Sequence, residues 1–318
     1  TIWFAVSVIA VLAMAVFFYI KFRERKLRQE KEHLELVVKE RTAEVVQQRD
    51  RIEAQHKIVT LQKHEITSSI NYASRIQQAV LPGAEILKES TTDSFILYKP
   101  RDIVSGDFYW IGRRDHLLIV AAADCTGHGV PGAFMSMLGI SFMNKIINEQ
   151  NIFEPHAVLN EMRNNVITSL KQGHNDGTTK DGMDMALCVV DLNTLEMNFS
   201  GAYNPAIIMT EGEPVEMKPN RMPVGLHIVM NDFEAETIQL KKGDTVYLFS
   251  DGFQDQIGGP KGRKFMKKQL RELIVDMHTK TGDEQLQILS DTIQDWIHPE
   301  NGEEYEQIDD ICVIGFKV

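Results

Sequence analysis

The chain opens with a long stretch that carries no charge. Residues 2–20 are almost entirely apolar, and a segment rich in Lys and Arg follows at 21–28. About 20 apolar residues in a helix span a bilayer, and flanking basic residues favour the cytoplasmic side. A signal peptide is the alternative, but no small-residue cleavage site follows. The pattern predicts a transmembrane helix over residues 1–20, a single span of the plasma (inner) membrane, with the remainder in the cytoplasm.

The next segment has no proline or glycine, and its apolar positions recur every seven residues. One seam position comprises Val38, Val45, Ile52, Val59, Ile66, Ala73 and Val80. The other seam position is polar and comprises Arg41, Gln48, Gln55, Gln62 and Ser69. A β-branched seam favours two-stranded coiled coils, whereas polar layers lower their stability. We predict a marginally stable, dimeric coiled-coil signalling helix over residues 21–81, ended by Leu-Pro-Gly at 81–83; a single solvated helix is the alternative.

After Ser90 the pattern changes to short apolar runs that alternate with helical stretches. The runs predict strands at 94–99, 107–112, 116–123, 185–192, 195–202, 236–240, 245–250 and 311–318. Helical periodicity predicts two consecutive pairs of helices, at 131–149 with 155–172 and at 263–277 with 283–297. Strands interrupted by helix pairs indicate an α+β layered domain over residues 82–318 rather than a doubly wound sheet.

Composition narrows the classes of partner and compartment. The net charge of -11 argues against a nucleic-acid backbone as the main partner. The three cysteines are scattered without a Cys-x-x-Cys pair, which fits a reducing compartment and neither a disulfide framework nor a zinc site. Because the chain begins with Thr1 rather than methionine, we expect further sequence upstream.

Acidic residues stand at the ends of several predicted strands. Asp107 and the pair Asp309 and Asp310 open strands, while Asp124 and Asp251 close them. An aspartate after a strand is often only a turn or N-cap residue. If these strand ends share one rim, however, the acids form a negative cluster that is costly to desolvate. Mg²⁺ or Mn²⁺ resolves that cost, and four acids suggest two ions that share a bridging water.

Four segments together carry a resemblance to a known family. They are KPRDIVSGDFYW at 99–110, ADCTGHGVPGAFMS at 123–136, LFSDGFQD at 248–255 and DDICVIGF at 309–316. In this order they resemble the metal-dependent PPM protein phosphatases, and most nearly the bacterial SpoIIE/RsbU group. The resemblance covers residues 66–318. It implies an α-β-β-α sandwich, two Mn²⁺ or Mg²⁺ ions per active site, and hydrolysis of phosphoserine or phosphothreonine on a protein.

The resemblance also implies roles for particular residues. The implied metal ligands are Asp107, Asp124, the backbone carbonyl of Cys125, Asp251 and Asp309, with Asp310 as the alternate to Asp309. Asp107 would contact both ions, so Asp107 and Asp124 are the implied catalytic aspartates. His128 is a candidate general acid, and Arg101 and Lys99 are candidates for binding the substrate phosphate. Asp184 is either an ordinary strand-edge acid or a ligand of a weak third metal.

The expected function is a membrane-anchored phosphatase, the C-terminal part of a sensor that acts through its coiled coil. The resemblance implies a phosphorylated anti-anti-sigma-like protein as substrate. Two other classes remain open from the sequence. A sensor histidine kinase would use His64, followed by Glu65 on the predicted helix, as its phospho-acceptor. A non-catalytic signalling scaffold would keep the phosphatase shell without its chemistry.

Overall fold

The computed structural model describes residues 2–173, 180–300 and 303–318. Its contacts divide the chain into two compact units, Thr1–Ser68 and Ser69–Val318. Helix α1 runs from Ile2 to Val80, so its last residues belong to the second unit. The helix ends before Leu-Pro-Gly, since a proline disfavours helical conformation in the residue before it.

The first unit is a helix whose described residues are exposed, apart from the partly exposed Thr67 near its end. Its N-terminal part is long and apolar enough to cross a membrane. A second segment, Gly129–Glu149, meets the same criterion with a lower mean hydropathy (1.3 against 2.5), but half of its apolar window is buried inside the second unit, as expected for a core helix. The transmembrane span and the coiled coil therefore remain predictions.

The described residues of the second unit form two five-stranded antiparallel sheets. The first sheet has the order β2 (Phe108–Arg114), β3 (Leu117–Cys125), β4 (Met183–Asp191), β5 (Glu196–Ala202) and β8 (Glu236–Gln239). The second has the order β1 (Asp93–Lys99), β12 (Ile311–Lys317), β9 (Thr245–Phe249), β6 (Ala206–Thr210) and β7 (Glu213–Met217). A short ribbon pairs β10 (Ile257–Gly258) with β11 (Arg263–Lys264).

Helices cover the outer faces of both sheets. They are α3 (Gly129–Asn144, continued by a π-helical turn at Lys145–Glu149), α4 (Pro155–Ser169), α5 (Gly252–Asp255), α6 (Lys267–Met277) and α7 (Gly282–Ile297). The short helix α2 (Glu85–Ser90) instead packs its Leu87 into the core between the sheets. One core lies between α3, α4 and the first sheet, and another between α6, α7 and the second sheet. The third lies between the sheets. This order of layers is the predicted α-β-β-α sandwich, which is confirmed.

Alternation along the strands decides which core each side chain enters. In β3, Leu118, Val120 and Ala122 face the other sheet, whereas Ile119 and Ala121 face the helices. Both faces of the central strands are therefore apolar. This explains why their sequences read as continuous apolar runs.

Two elements differ from the predicted pattern. The hairpin of β6 and β7 was not predicted. Its turn places Glu211 and Gly212 at φ of 52° and 82°, as in a type I′ turn. Helix α6 begins at Lys267 rather than at residue 263, because Arg263 and Lys264 pair with β10.

Candidate metal centre

The first sheet contributes two aspartates to one end of the gap between the sheets. Asp107 directly precedes β2, and Asp124 is the second-last residue of β3. Phe108 pairs with Ala123 in the antiparallel ladder, so the two aspartates are neighbours across it. Alternation gives Asp124 the same direction as Ala122, which is packed between the sheets. Both carboxyl groups therefore lie at the mouth of the inter-sheet core.

The second sheet brings two more acids to the same end. Asp251 comes two residues after β9, and Asp309 comes two residues before β12. The Ser250 amide donates to the Cys312 carbonyl at 2.9 Å, which joins these two strand ends. The charges of Asp309 and Asp251 both act on Asp107 across the gap. The sheet sandwich thus assembles the acidic cluster that the strand ends predicted.

Asp107 is buried, with 1% of its surface exposed. Its Oδ2 accepts a hydrogen bond of 2.6 Å from the Ser250 hydroxyl, and its amide donates to the Ser105 hydroxyl at 3.1 Å. Burial raises the pKa of Asp107 well above its usual range, and repulsion from Asp310 and Asp309 raises it further. Ser250, which the sequence analysis did not single out, therefore orients a predicted ligand.

Asp124 and Asp251 share a hydrogen bond between their carboxyl groups. Burial, followed by repulsion from Asp107 and Asp251, raises the pKa of Asp124 to about 11. Burial also raises the pKa of Asp251. The second oxygen of Asp251, Oδ1, is buried and has no hydrogen-bond partner. The two carboxyls thus crowd one another, and one oxygen of the pair is left unsatisfied.

The two acids of the last motif have different environments. Asp310 is buried, and its carboxylate accepts from the Arg101 and Gly106 amides at 2.7 Å each. It therefore fastens the loop before Asp107. The Asp309 carboxyl lines the cleft, and its Oδ1 accepts from the Asp310 amide at 2.9 Å. Because both oxygens of Asp310 hold backbone amides, Asp309 is the better placed ligand of the two.

Two glycines allow backbone segments to approach one another around the acids. A Cβ on Gly106 would lie 2.5 Å from the Gly127 carbonyl oxygen and 3.3 Å from that of Cys125. A Cβ on Gly252 would collide with the Asp310 carbonyl. Both contacts are with backbone, which cannot move aside as a flexible side chain can. These glycines therefore keep the ligand-bearing loops together.

A cleft of about 270 Å³ opens beside the cluster. It is lined by Asp124, Cys125, Thr126, Gly127, His128, Asp184 and Asp309. His128 precedes α3, and its Nδ1 lies 3.0 Å from Oδ2 of Asp102. That contact engages one ring nitrogen of a residue that lines the cleft. Asp102, which the sequence analysis passed over, is thus a partner of the predicted general acid.

The two candidate phosphate-binding residues lie outside the cleft lining. The Lys99 ammonium donates to Oε1 of Gln294 on α7 at 3.3 Å. Arg101 is exposed, and its amide rather than its guanidinium makes the contact with Asp310. Neither side chain is placed against the acids, so their role in binding phosphate stays a prediction.

Asp184 lies closer to the cluster than its strand-edge position suggested. It pairs with Asp124 in the ladder between β3 and β4 and lines the cleft. Burial, with a smaller effect from Asp251, raises its pKa to about 7. The side chain is therefore a fifth carboxyl at the same opening.

The donor set fits a hard divalent cation. Among the described residues, no three Asp, Glu, His or Cys side chains already surround one common point. The carboxyls are instead engaged with each other, with Ser250 and with backbone amides. All of the atoms that could bind a metal ion here are oxygens. One of them, Oδ1 of Asp251, has no hydrogen-bond partner inside the cluster. Oxygen-only sites of this kind suit Mg²⁺ and Mn²⁺, which would relieve the repulsion among the acids.

The end of α1 contacts the loop that carries Asp107. Gln77 is the buried residue of this helix, with 3% of its surface exposed. Its Nε2 donates to the Ser105 carbonyl at 2.6 Å and to the Ser136 hydroxyl at 2.8 Å, and its Oε1 accepts from the Ser105 amide at 3.1 Å. Gln77 therefore ties the loop before Asp107 to α3. Its polar side chain gave no sequence signal of this role.

Comparison with known sequences points to one family. The family described as Stage II sporulation protein E (SpoIIE) matches residues 114–318, within the two-sheet unit that carries the cleft. The chain is also similar to the phosphoserine phosphatase RsbU of Bacillus subtilis (strain 168), with 26% identity over 195 residues. That alignment covers 60% of this chain and 54% of RsbU, so the chain spans about half the length of this relative.

Solved structures show the same fold. The SiaA-PP2C domain of Pseudomonas aeruginosa is similar with a TM-score of 0.71 and 32% identity, over 80% of this chain and 98% of that domain. The PP2C phosphatase domain of SpoIIE from Bacillus subtilis, solved with a fragment of its regulatory domain, has a TM-score of 0.57 and 20% identity. That match covers 71% of this chain and 63% of the other. At 20% identity this second likeness concerns the fold alone.

Proposed function

Because this chain belongs to the SpoIIE family and its two-sheet unit is a PP2C-type serine/threonine phosphatase domain, we propose that it dephosphorylates a regulatory protein with a metal-activated water. The predicted family and enzyme class are thereby confirmed for this domain. The observation that carries the proposal is the convergence of Asp107 and Asp124 from one sheet with Asp251 and Asp309 from the other. Four acids at one opening, of which Asp107 is buried and the other three are partly buried, are costly without cations to neutralise them.

We assign the metal ligands on this basis. Asp107, Asp124, Asp251 and Asp309 would hold two Mg²⁺ or Mn²⁺ ions, with the Cys125 carbonyl as a further oxygen donor. Such a pair of ions activates a water molecule and stabilises charge on the transferred phosphoryl group. The Ser250 hydroxyl fixes the orientation of Asp107 through its hydrogen bond of 2.6 Å.

His128 is the proposed proton donor to the leaving group. Its Nδ1 is held by Asp102, so its Nε2 can face the serine or threonine oxygen that leaves with a proton.

The experiment that tests the activity uses the full chain in detergent micelles. We expect release of phosphate from p-nitrophenyl phosphate and from serine-phosphorylated protein when Mn²⁺ is present, and none after chelation. A chain that binds Mn²⁺ but releases no phosphate from either substrate would contradict the proposed activity.

Replacing Cys125 with serine separates a carbonyl ligand from a thiol nucleophile. The Cys125 side chain packs among buried apolar residues on the helix side of β3, away from the gap between the sheets. Because the proposed role uses the backbone carbonyl alone, we expect Cys125→Ser to keep its activity within about threefold. Steady-state phosphate release measures this, with Cys125→Ala as the control for a buried hydroxyl. A trapped phosphocysteine would contradict the water mechanism.

The substrate is proposed to be a phosphorylated anti-anti-sigma-like protein. Support comes from the family match and from the similarity to RsbU, which is a phosphoserine phosphatase. The acid cluster would bind a phosphate ester through its metal ions, and the net charge of -11 gives no reason to expect a nucleic-acid partner.

We also propose that α1 anchors the chain in the plasma membrane and joins two copies through its heptad seam. The apolar start of α1 supports the anchor, with the phosphatase domain on the cytoplasmic side. A change in the register of the paired helices would reach Gln77, since α1 continues to Val80 without a break. Gln77 in turn holds the loop that precedes Asp107.

The polar seam residues make this regulation testable. Changing Gln48, Gln55 and Gln62 together to leucine should strengthen the dimer and hold one register. We expect activity that no longer varies with stimulus, either constantly high or constantly low. Phosphate release from membrane-embedded protein, with and without stimulus, measures the response. A tighter dimer that still responds normally would show that the helix is a tether.

The two alternative functions are less well supported. A histidine kinase needs an ATP-binding domain, whereas the domain that follows α1 has the PP2C fold. His64 is exposed on α1, as a solvated helical histidine would be. A non-catalytic scaffold would have no need to gather four acids at one opening. Labelled phosphate appearing on His64 after incubation with ATP would support the kinase.

A further inference from the structure

A short loop on the two-sheet unit presents apolar side chains to solvent. It comprises residues 227–230, His-Ile-Val-Met, and is called here the apolar loop. Ile228 is 97% exposed, and Val229 and Met230 are 46% and 42% exposed. A nearly fully exposed isoleucine beside two further apolar side chains marks a contact surface rather than a core element.

The apolar loop has a defined internal structure. The His227 amide donates to Sδ of Met230 at 3.4 Å, and the Val229 amide donates to Nδ1 of His227 at 3.2 Å. The His227 ring also meets the Tyr203 ring edge to face, with 6.4 Å between centroids. These contacts hold Ile228 at the tip.

Buried polar side chains fasten both ends of the loop. On one side, the Leu226 amide donates to Oε1 of Gln172 at 3.0 Å. On the other, the buried Arg163 donates to the Asn231 carbonyl at 2.6 Å and lies over the Phe233 ring. A loop anchored in this way loses little conformational entropy when a partner covers it.

Backbone hydrogen bonds connect the segment before the apolar loop to the lining of the acidic cleft. Met183 and Val224 exchange backbone hydrogen bonds of 3.1 and 2.8 Å, which pairs the segment before the apolar loop with the start of β4. The Gly182 carbonyl, one residue earlier, accepts from the Thr126 amide at 3.0 Å in the cleft lining. The apolar loop therefore begins three residues after Val224, which pairs with a strand end next to the cleft lining.

We propose that the apolar loop docks the folded protein that carries the phosphorylated residue, an inference that rests on the proposed function. A phosphoserine that enters the cleft brings the surrounding surface of its protein onto the rim. A cleft of about 270 Å³ takes the phosphorylated side chain but little more. Weak protein complexes bury up to about 1,200 Å² in total, which is several hundred Å² on each partner. The cleft alone does not provide that area, so contacts on the surface around it are needed. The matching partner surface is apolar and lies next to its phosphoserine.

A series at one position tests this docking. The variants are Ile228→Asp, Ile228→Ala and the conservative Ile228→Leu, all at a side chain with almost no contacts inside the protein. The substrates are a phosphoserine-bearing anti-anti-sigma-like domain encoded in the same genome, a short peptide with the same phosphoserine, and p-nitrophenyl phosphate. We expect Ile228→Asp to raise KM for the phosphodomain by about tenfold or more, with an unchanged kcat. Kinetics with the peptide and p-nitrophenyl phosphate should stay at the wild-type values, and Ile228→Leu should behave as wild type.

Affinity provides a readout that does not depend on catalysis. Biolayer interferometry without Mn²⁺ compares binding of the phosphodomain to wild type and to Ile228→Asp, with the same expected loss of about tenfold. Equal affinity of the two would overturn the docking, as would equal losses on all three substrates. A change of oligomeric state in Ile228→Asp would assign the loop to a second copy of this chain instead. Failure of the wild type to hydrolyse p-nitrophenyl phosphate would contradict the proposed function. The affinities of wild type and Ile228→Asp for the phosphodomain would still test the docking.

Discussion

Asp251→Asn will lose Mn²⁺ binding and lower kcat/KM by about 10³-fold, since losing a catalytic metal removes several kcal/mol of transition-state stabilisation. The metal-free protein will stay folded, with a midpoint of thermal unfolding equal to or above that of wild type. The reason is that Asp251 shares a hydrogen bond with Asp124 and leaves Oδ1 buried without a partner. A neutral amide of the same shape removes the repulsion between the carboxyls. Calorimetric titration with Mn²⁺ and a thermal melt of the metal-free protein measure both effects.

Asp255→Asn is the matched control for this substitution. Asp255 lies on the same short helix, α5, but its carboxylate pairs with the Lys264 ammonium at 2.7 Å on the surface. We expect Mn²⁺ binding and turnover close to wild type, because surface ion pairs contribute little. An unchanged Mn²⁺ isotherm in Asp251→Asn would remove Asp251 from the metal site.

Gln77→Leu will weaken Mn²⁺ binding and lower kcat/KM by about tenfold or more, although Gln77 is on the helix and not in the cleft. Its amide makes three hydrogen bonds, two to the Ser105 backbone and one to Ser136. Leucine leaves those buried groups unpaired, which costs about 1–3 kcal/mol for each unsatisfied group. The Ser105 hydroxyl also accepts a hydrogen bond from the Asp107 amide. A displaced Ser105 would therefore shift Asp107, a proposed metal ligand. Mn²⁺ titrations of activity will separate weaker metal binding from slower turnover.

Gln78→Leu is the control, since Gln78 carries the same side chain at the next position and is exposed. We expect Gln78→Leu to leave the Mn²⁺ dependence unchanged. Ser136→Ala removes one of the three bonds of Gln77 and should give an intermediate effect. Equal Mn²⁺ dependence in Gln77→Leu and wild type would show that this contact only fastens α1 to the domain.

The hairpin of β6 and β7 could not be predicted from the pattern of apolar and polar residues. β7 is an edge strand with a proline, Pro214, and three of its five residues are only half-buried. Such a strand lacks both the continuous apolar run of a central strand and a clean alternation. The signal that could have found it is the Glu211-Gly212 turn, whose left-handed backbone is typical of two-residue hairpins.

The acids at strand ends were predictable because the chemistry of a strand terminus is local. Asp107, Asp124 and Asp251 each stand next to an apolar run, and the four motifs together indicated the family. The position in the motif favoured Asp309 over Asp310, but a slip of one residue would have exchanged them, since adjacent residues of an extended chain point to opposite faces. The structure separates them: Asp310 holds the Arg101 and Gly106 amides, and Asp309 lines the cleft.

The sequence by itself determined the layered α+β fold, the family and the set of acids from which the metal ligands come. Apolar periodicity and strand-end aspartates are properties of short segments, so they can be read without knowing which strands meet. Only the tertiary structure decided which groups meet across long separations in sequence, such as Gln77 with Ser105, Ser250 with Asp107, and Val224 with Met183. These pairings depend on how two twisted sheets stack and on which ends of their strands coincide. That alignment follows from packing of the shared core, which no single segment specifies.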